Sequence, residues 1–232
     1  MSERAATLAS GYLLALVALV LMLLIIPAAS AAGRRLKPGW RAWMWPLIFA
    51  GMALATLCAS LATSQNIEDT GNFLWKLDNF LAGVSFSFLA LHTLYRAAPD
   101  IMARRFAPLV WIVYLVFTIG VLQVPSFVPV LIYDAACAVL VFLAHSTLYA
   151  RDRDRAADAP PIMIGTGLIL VADLVASFGF VIELGPLHFN QLLPFNVLVI
   201  IGLIFFFRGA SASYGVKYDM QRSRERTASH NN

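Results

Sequence analysis

The chain has 232 residues, 60% of them hydrophobic and only 13% charged, with a formal net charge of +4. Soluble domains carry about 45–50% apolar and about 25% charged residues, so this composition excludes an ordinary soluble domain and places the chain in a bilayer. The basic surplus sits in short clusters between apolar runs, which excludes the continuous basic face that binds nucleic acid.

Seven apolar runs of roughly 18–24 residues are each long enough to cross a hydrocarbon core about 30 Å thick. The first is expected over Ser10–Ala32. Its end, AASAA, resembles a signal-peptide cleavage site, but the flanking charge is reversed. Glu3 and Arg4 cancel before it, while Arg34, Arg35 and Lys37 follow, so a retained helix with its N-terminus outside is expected. Pro27 is placed to kink it. The second helix is expected over Trp43–Ala62, with Trp40, Trp43 and Trp45 as an aromatic belt at the inner interface. The loop SQNIEDTGN is polar and turn-rich and leads to the third helix, Phe73–Tyr95. The fourth is expected over Ala107–Gln123, the fifth over Phe127–Tyr149, and the sixth from Pro160-Pro161 to Glu183. Gly185-Pro186 then turns the chain into the seventh, which opens on a polar stretch at Leu187 and stops at Arg208-Gly209.

All but two of the 17 basic residues (Arg4 and Lys76) fall in Arg34–Arg41, Arg96–Arg105, Arg151–Arg155 and Arg208–Arg226. Those are alternate connections plus the tail, the positive-inside pattern. The expected fold is therefore an all-α, seven-transmembrane helix bundle with a cytoplasmic C-terminus. Residues 1–212 form the membrane domain, and residues 213–232 form a polar cytoplasmic tail. A bacterial inner membrane is the expected location.

Polar residues inside the runs are the candidates for function, because lipid makes them costly. Asp78, Ser85 and His92 recur every seven residues and share one face of the third helix. Asp134, Ala138, Val141 and His145 do the same on the fifth. The third helix ends LALHTLYR and the fifth FLAHSTLYAR, an internal echo that puts a histidine near each inner end. Such histidines either anchor a helix at the interface or serve as ligands. Asp134 and Asp173 lie within helices and need polar partners, with Ser177, Asn196, Tyr133 and Tyr114 as the candidates. A structural network between helices and a functional site both satisfy that need. Asp78, Glu183 and His188 fall at outer ends, where water explains them. Cys58 and Cys137 are expected as free thiols inside helices. No CxxC pair, phosphate loop or GxSxG elbow is present. The seventh run has no lysine for a retinal Schiff base, which excludes a rhodopsin-type photoreceptor.

The segment LHFNQLLPFNVLVIIGLIFFFRGA carries His188, Asn190, Gln191 and Asn196 into a long apolar helix. Through His188, Phe189, Asn190, Phe195, Val197 and the closing Phe207, Arg208, Gly209 and Ala210, it resembles the last helix of a bacterial branch of the alkaline ceramidase and progestin/adiponectin-receptor-like (CREST) superfamily. The resemblance implies a zinc ion held by histidines of helices two and seven, near an aspartate and a serine, activating water against a lipid amide or ester. This chain departs from that pattern. Asn196 stands at the histidine of an aromatic-His-Val step, Thr63 or Ser64 at the helix-two histidine, and Ser10-Gly11 at an acidic step. An asparagine amide is a poor zinc ligand beside imidazole. The expectation is a non-catalytic membrane protein that binds a lipid-like ligand or serves as an accessory subunit, with membrane lipids and other membrane subunits as partners. No cofactor is expected. The alternatives are a zinc-dependent lipid hydrolase, and a haem- or proton-handling protein built on His92 and His145 or on Asp134 and Asp173.

Overall fold

The computed structural model describes residues 3–34, 39–65, 67, 72–124, 128–178, 181–184 and 187–230, with residues 3, 4, 181–184, 187–190 and 216–230 described by their backbone alone. Among them, seven helices are long and apolar enough to cross a membrane. They are α1 (Glu3–Gly33), α2 (Met44–Ser64), α3 (Phe73–Ala97), α4 (Asp100–Gln123), α5 (Val128–Arg151), α6 (Ala159–Ser177) and α7 (Leu192–His230). A short 3-10 turn, Gly39–Trp43, leads into α2.

Local signals start several of these helices. Asn72 caps α3, its side chain accepting the Leu74 amide at 2.9 Å, as an N-cap asparagine should. Pro160-Pro161 open α6, where the missing amide protons cost nothing. The helix begins beside Asp158, whose two carboxylate oxygens are both held at 3.0 Å by Arg96 of α3. Both charges thus find a partner where the chain re-enters the bundle.

Six helices close a ring in the order α1, α2, α3, α5, α6, α7 and back to α1, while α4 stands outside against α3 and α5. On α4 only Ala103, Phe117 and Val121 are buried. Val110 and Tyr114 pack half-buried against the core, and most of its other apolar side chains are exposed. Small residues let the ring close, as expected where lipid offers no hydrophobic drive between helices. A Cβ at Gly165 of α6 would lie 2.8 Å from the Gly202 carbonyl oxygen of α7. One at Gly11 of α1 would lie 2.5 Å from Ser60 Oγ of α2. The half of the ring nearer the basic connections is filled by aromatic side chains. Trp45 packs its ring 4.9 Å from His92, 6.1 Å from Phe49 and 6.0 Å from Phe206.

Several boundaries differ from expectation, each for a physical reason. The sixth helix ends at Ser177 rather than Glu183, and the seventh begins at Leu192 rather than Leu187. Between them lies an antiparallel hairpin, β1 (Val181–Leu184) and β2 (Leu187–Asn190), with Glu183 opposite His188 and Val181 opposite Asn190. Two four-residue runs flanking Gly-Pro are too short for helix and suit a hairpin. His188 and Asn190 are therefore strand residues, not the first turn of a helix. The seventh helix does not stop at Arg208-Gly209 but continues to His230. Gly209 is a packing glycine: a Cβ there would sit 2.5 Å from Ile162 of α6. The first helix starts at Glu3 and the fourth at Asp100, each well before its apolar run. Trp45 is not a belt residue. It is only 1% exposed, whereas Trp40 and Trp43 are exposed.

Candidate functional site

The half of the ring at the N-terminal end of α1 is hollow. A cavity of about 280 Å³ lies between α1, α2, α3, α5, α6 and α7. Its polar lining comes from Thr7 of α1, Thr56, Ser60 and Thr63 of α2, Trp75, Asp78 and Asn79 of α3, Asp134 of α5, Asp173 of α6 and Asn196 of α7. Apolar walls are supplied by Leu8, Met52, Phe86, Val130, Ile169 and Val199. The three carboxyl groups sit one to two turns in from the ends of their helices, about 6–9 Å along the axes. Asp78 is half-buried toward the mouth, while Asp134 and Asp173 are each 4% exposed.

Asp134 and Asp173 hydrogen-bond to each other across the α5–α6 interface. Two carboxyl groups share such a bond only if at least one of them carries a proton. No protein donor among the described residues reaches Asp134 Oδ1 or Asp173 Oδ2. The partners expected from the sequence are engaged elsewhere. Ser177 donates to the Asp173 backbone carbonyl at 2.7 Å, Tyr133 pairs with Ser87 at 2.7 Å, and Tyr114 donates to the Phe80 carbonyl. Asn196 donates to Ser10 Oγ at 2.9 Å and ties α7 to α1. Helical spacing could not show that two aspartates on different helices meet.

The hydroxyls of the lining have a common orientation. Thr56, Ser60 and Thr63 donate to the carbonyls of Met52, Thr56 and Ala59, one turn back on α2. Ser10 likewise donates to Thr7. Their protons are spent on their own helices, so these oxygens meet the cavity as acceptors. Among the described residues no lysine, arginine or histidine lines it. The Thr56-Ser60-Thr63 stripe was a missed signal: its spacing marks one face of α2.

The other sequence candidates lie elsewhere. Ser85 is buried against α2, opposite Gly51, and donates to the Leu81 carbonyl. His92 and His145 do not anchor the helices at an interface, being 6% and 0% exposed inside the bundle. His92 packs on Trp45, and His145 Nε2 lies 3.3 Å from Thr93 Oγ1. The echoed segments bury their histidines because α3 and α5 are neighbours in the ring. The tyrosines of the echo take the interfacial role: Tyr95 carries the Arg41 guanidinium 4.0 Å above its ring, and Tyr149 carries Arg153 at 5.5 Å. Asp78 was assigned to water at an outer end, yet it lines the cavity. The side chains of His188 and Asn190 lie outside the described part of the structure. Cys58 and Cys137 are free thiols.

The zinc site implied by the resemblance does not fit this donor set. The described lining offers carboxyl groups, hydroxyls and amides but no imidazole, and two of the carboxyl groups bind one another. Among the described residues no group of three or more His, Cys, Asp or Glu side chains is placed to hold a metal.

Residues 6–214 match a family of unknown function (DUF6962), and the chain belongs to that family. No match was found to a curated protein or to a solved structure.

Proposed function

We propose that this member of the family binds a small lipid-like molecule in its six-helix cavity and does not turn it over. The observation that supports this reading is the cavity itself, apolar-walled with polar groups from all six helices, and blocked toward the basic end by Trp45, Phe49 and Phe206. Its volume of about 280 Å³ is near the lower end of small-molecule sites, about 300–1,000 Å³. Three positions at which the chain departs from the ceramidase-like pattern gather there. Of the Ser10-Gly11 step Gly11 lines the cavity, of Thr63 and Ser64 only Thr63 does, and Asn196 lines it and bonds to Ser10. This clustering supports a kinship in which the pocket is kept and the metal ligands are replaced, so hydrolysis is not favoured. The role of accessory subunit has no comparable support.

The membrane is the inner membrane of a bacterium, with the N-terminus and the cavity mouth outside. The concentration of basic residues on the connections at the opposite end supports this orientation.

Ala59→Phe tests the reading. Ala59 is half-buried on the cavity wall, so the added ring has the cavity to occupy. Amphiphiles that raise the melting midpoint of the wild-type protein should lose that effect in the filled variant. An equal shift in both proteins would place the binding elsewhere and refute the proposal.

A further inference from the structure

We propose that the ligand of this cavity is a cation, an amphiphile carrying a protonated amine that seats on Asp134 and Asp173 with its hydrocarbon against the apolar wall. The inference rests on the binding function above and deepens it by naming the ligand's chemical class.

Three independent features carry it. The first is charge without a counter-charge. Asp134 and Asp173 are more than nine-tenths buried and line the cavity, yet among the described residues no basic side chain lines it with them. A buried carboxylate without a partner is costly, and proteins supply it with a cation, a donor or a proton. Here no cation serves among the described residues, and Asp134 Oδ1 and Asp173 Oδ2, both buried, receive no donor from them. One ammonium group supplies up to three N–H donors, enough for both oxygens, and a positive charge that favours the ionised form of the acids beside it.

The second feature is the polarity of the wall. Because Thr56, Ser60 and Thr63 each donate to a backbone carbonyl, their oxygens present lone pairs to the cavity. A site built of acceptors selects a donor-rich guest. Of the side-chain N–H donors in the lining, the Asn196 amide is turned to Ser10 and the Trp75 indole to the Ile67 carbonyl, which leaves Asn79. An anionic headgroup would meet three carboxyl groups and no cation among the described residues.

The third is size and apolar surface, which separate an organic cation from a bare metal ion. An inorganic ion needs several oxygens converging on one point, at about 2.3–2.6 Å for calcium. A space of about 280 Å³ walled by Phe86, Val130, Ile169 and Val199 is far larger than that. Asp78, half-buried on α3, adds a third carboxyl group to the same lining.

The test uses the full chain in phosphatidylcholine nanodiscs and three probes of equal chain length: hexylammonium, hexanol and hexanoate. Ala59→Phe discs serve to subtract partition into lipid. Hexylammonium should bind at least about ten-fold more tightly than hexanol, the size of effect expected when a hydrogen bond to a charged group is made or lost. Hexanoate should not bind. In the double variant Asp134→Asn/Asp173→Asn, which keeps the shape of both side chains, hexylammonium affinity should fall by about ten-fold or more. An unchanged helical circular dichroism spectrum and melting midpoint near that of the wild type report that the variant is folded. Equal affinity for hexylammonium and hexanol in the wild type would overturn the cationic ligand while leaving a binding cavity. Sodium or calcium alone displacing hexylammonium at low concentration would assign the charge to an inorganic ion and overturn the amine. Absence of binding by all three probes would overturn both the cation and the cavity function.

Discussion

Asp134 illustrates how a membrane protein keeps a carboxyl group in a place where one is costly. Its partner is another acid, Asp173, and the two hold a proton between them. Removing one member therefore differs from replacing it. Asp134→Ala leaves Asp173 buried beside a void with nothing to donate to it. Loss of about 1–3 kcal/mol of stability is expected, the cost of an unsatisfied buried group. Asp134→Asn puts an amide N–H where the shared proton was, and should leave the melting midpoint close to that of the wild type. Thermal unfolding of both variants in one detergent checks this, and an equal drop in the two would show that no proton is shared. The sequence singled out both aspartates as needing partners inside the bundle but assigned them Ser177, Asn196, Tyr133 and Tyr114. Periodicity orders residues around one helix. It does not say which face of a second helix stands opposite.

At the scale of elements, the ring depends on glycines where helices touch. Gly165 of α6 meets Gly202 and Phe206 of α7 so closely that a Cβ would fall 2.8 Å from the Gly202 carbonyl oxygen. Gly165→Ala should therefore cost about 1–3 kcal/mol through overpacking. Gly120→Ala is the control. On the peripheral α4 a Cβ would lie 3.5 Å from Pro129, an ordinary contact, so alanine's helix propensity of up to about 1 kcal/mol should stabilise. Melting midpoints moving in opposite directions would verify the packing, and two shifts of the same sign would refute it. The same scale explains the misplaced helix ends. Gly209 resembles a helix stop in sequence, yet it serves a close approach to Ile162 inside α7. The hairpin was legible in principle, since VIEL and LHFN flank Gly-Pro. Its apolar residues were absorbed into the neighbouring spans because hydropathy alone does not separate strand from helix in a short run.

For the whole molecule, the unequal ends of the bundle matter most. Basic connections and an aromatic plug occupy one end, and an acidic cavity occupies the other. With the basic end in the cytoplasm, a reporter fused after Asn232 should read as cytoplasmic. In a background lacking Cys58 and Cys137, Thr63→Cys on the cavity wall should react with a membrane-impermeant thiol reagent from outside the cell, and Arg155→Cys should not. Labelling of Arg155→Cys alone would invert the orientation and place the cavity mouth inside.

The sequence by itself determined the number of helices, their approximate spans and the asymmetry of charge between the two ends. These follow from hydropathy and length, properties a segment possesses before it touches any other. It also determined that the stripe from Asp134 to His145 shares a face, since side-chain direction along a helix is local. Only the tertiary structure decided that α4 stands outside the ring and that Trp45 plugs the core rather than floating at an interface. It alone decided that Asp78, Asp134 and Asp173, from three different helices, line one cavity whose hydroxyls have already spent their protons. Those outcomes depend on which helix is whose neighbour. In lipid that choice is made by close packing of small residues and pairing of polar ones, both of which belong to pairs of helices and to no single segment.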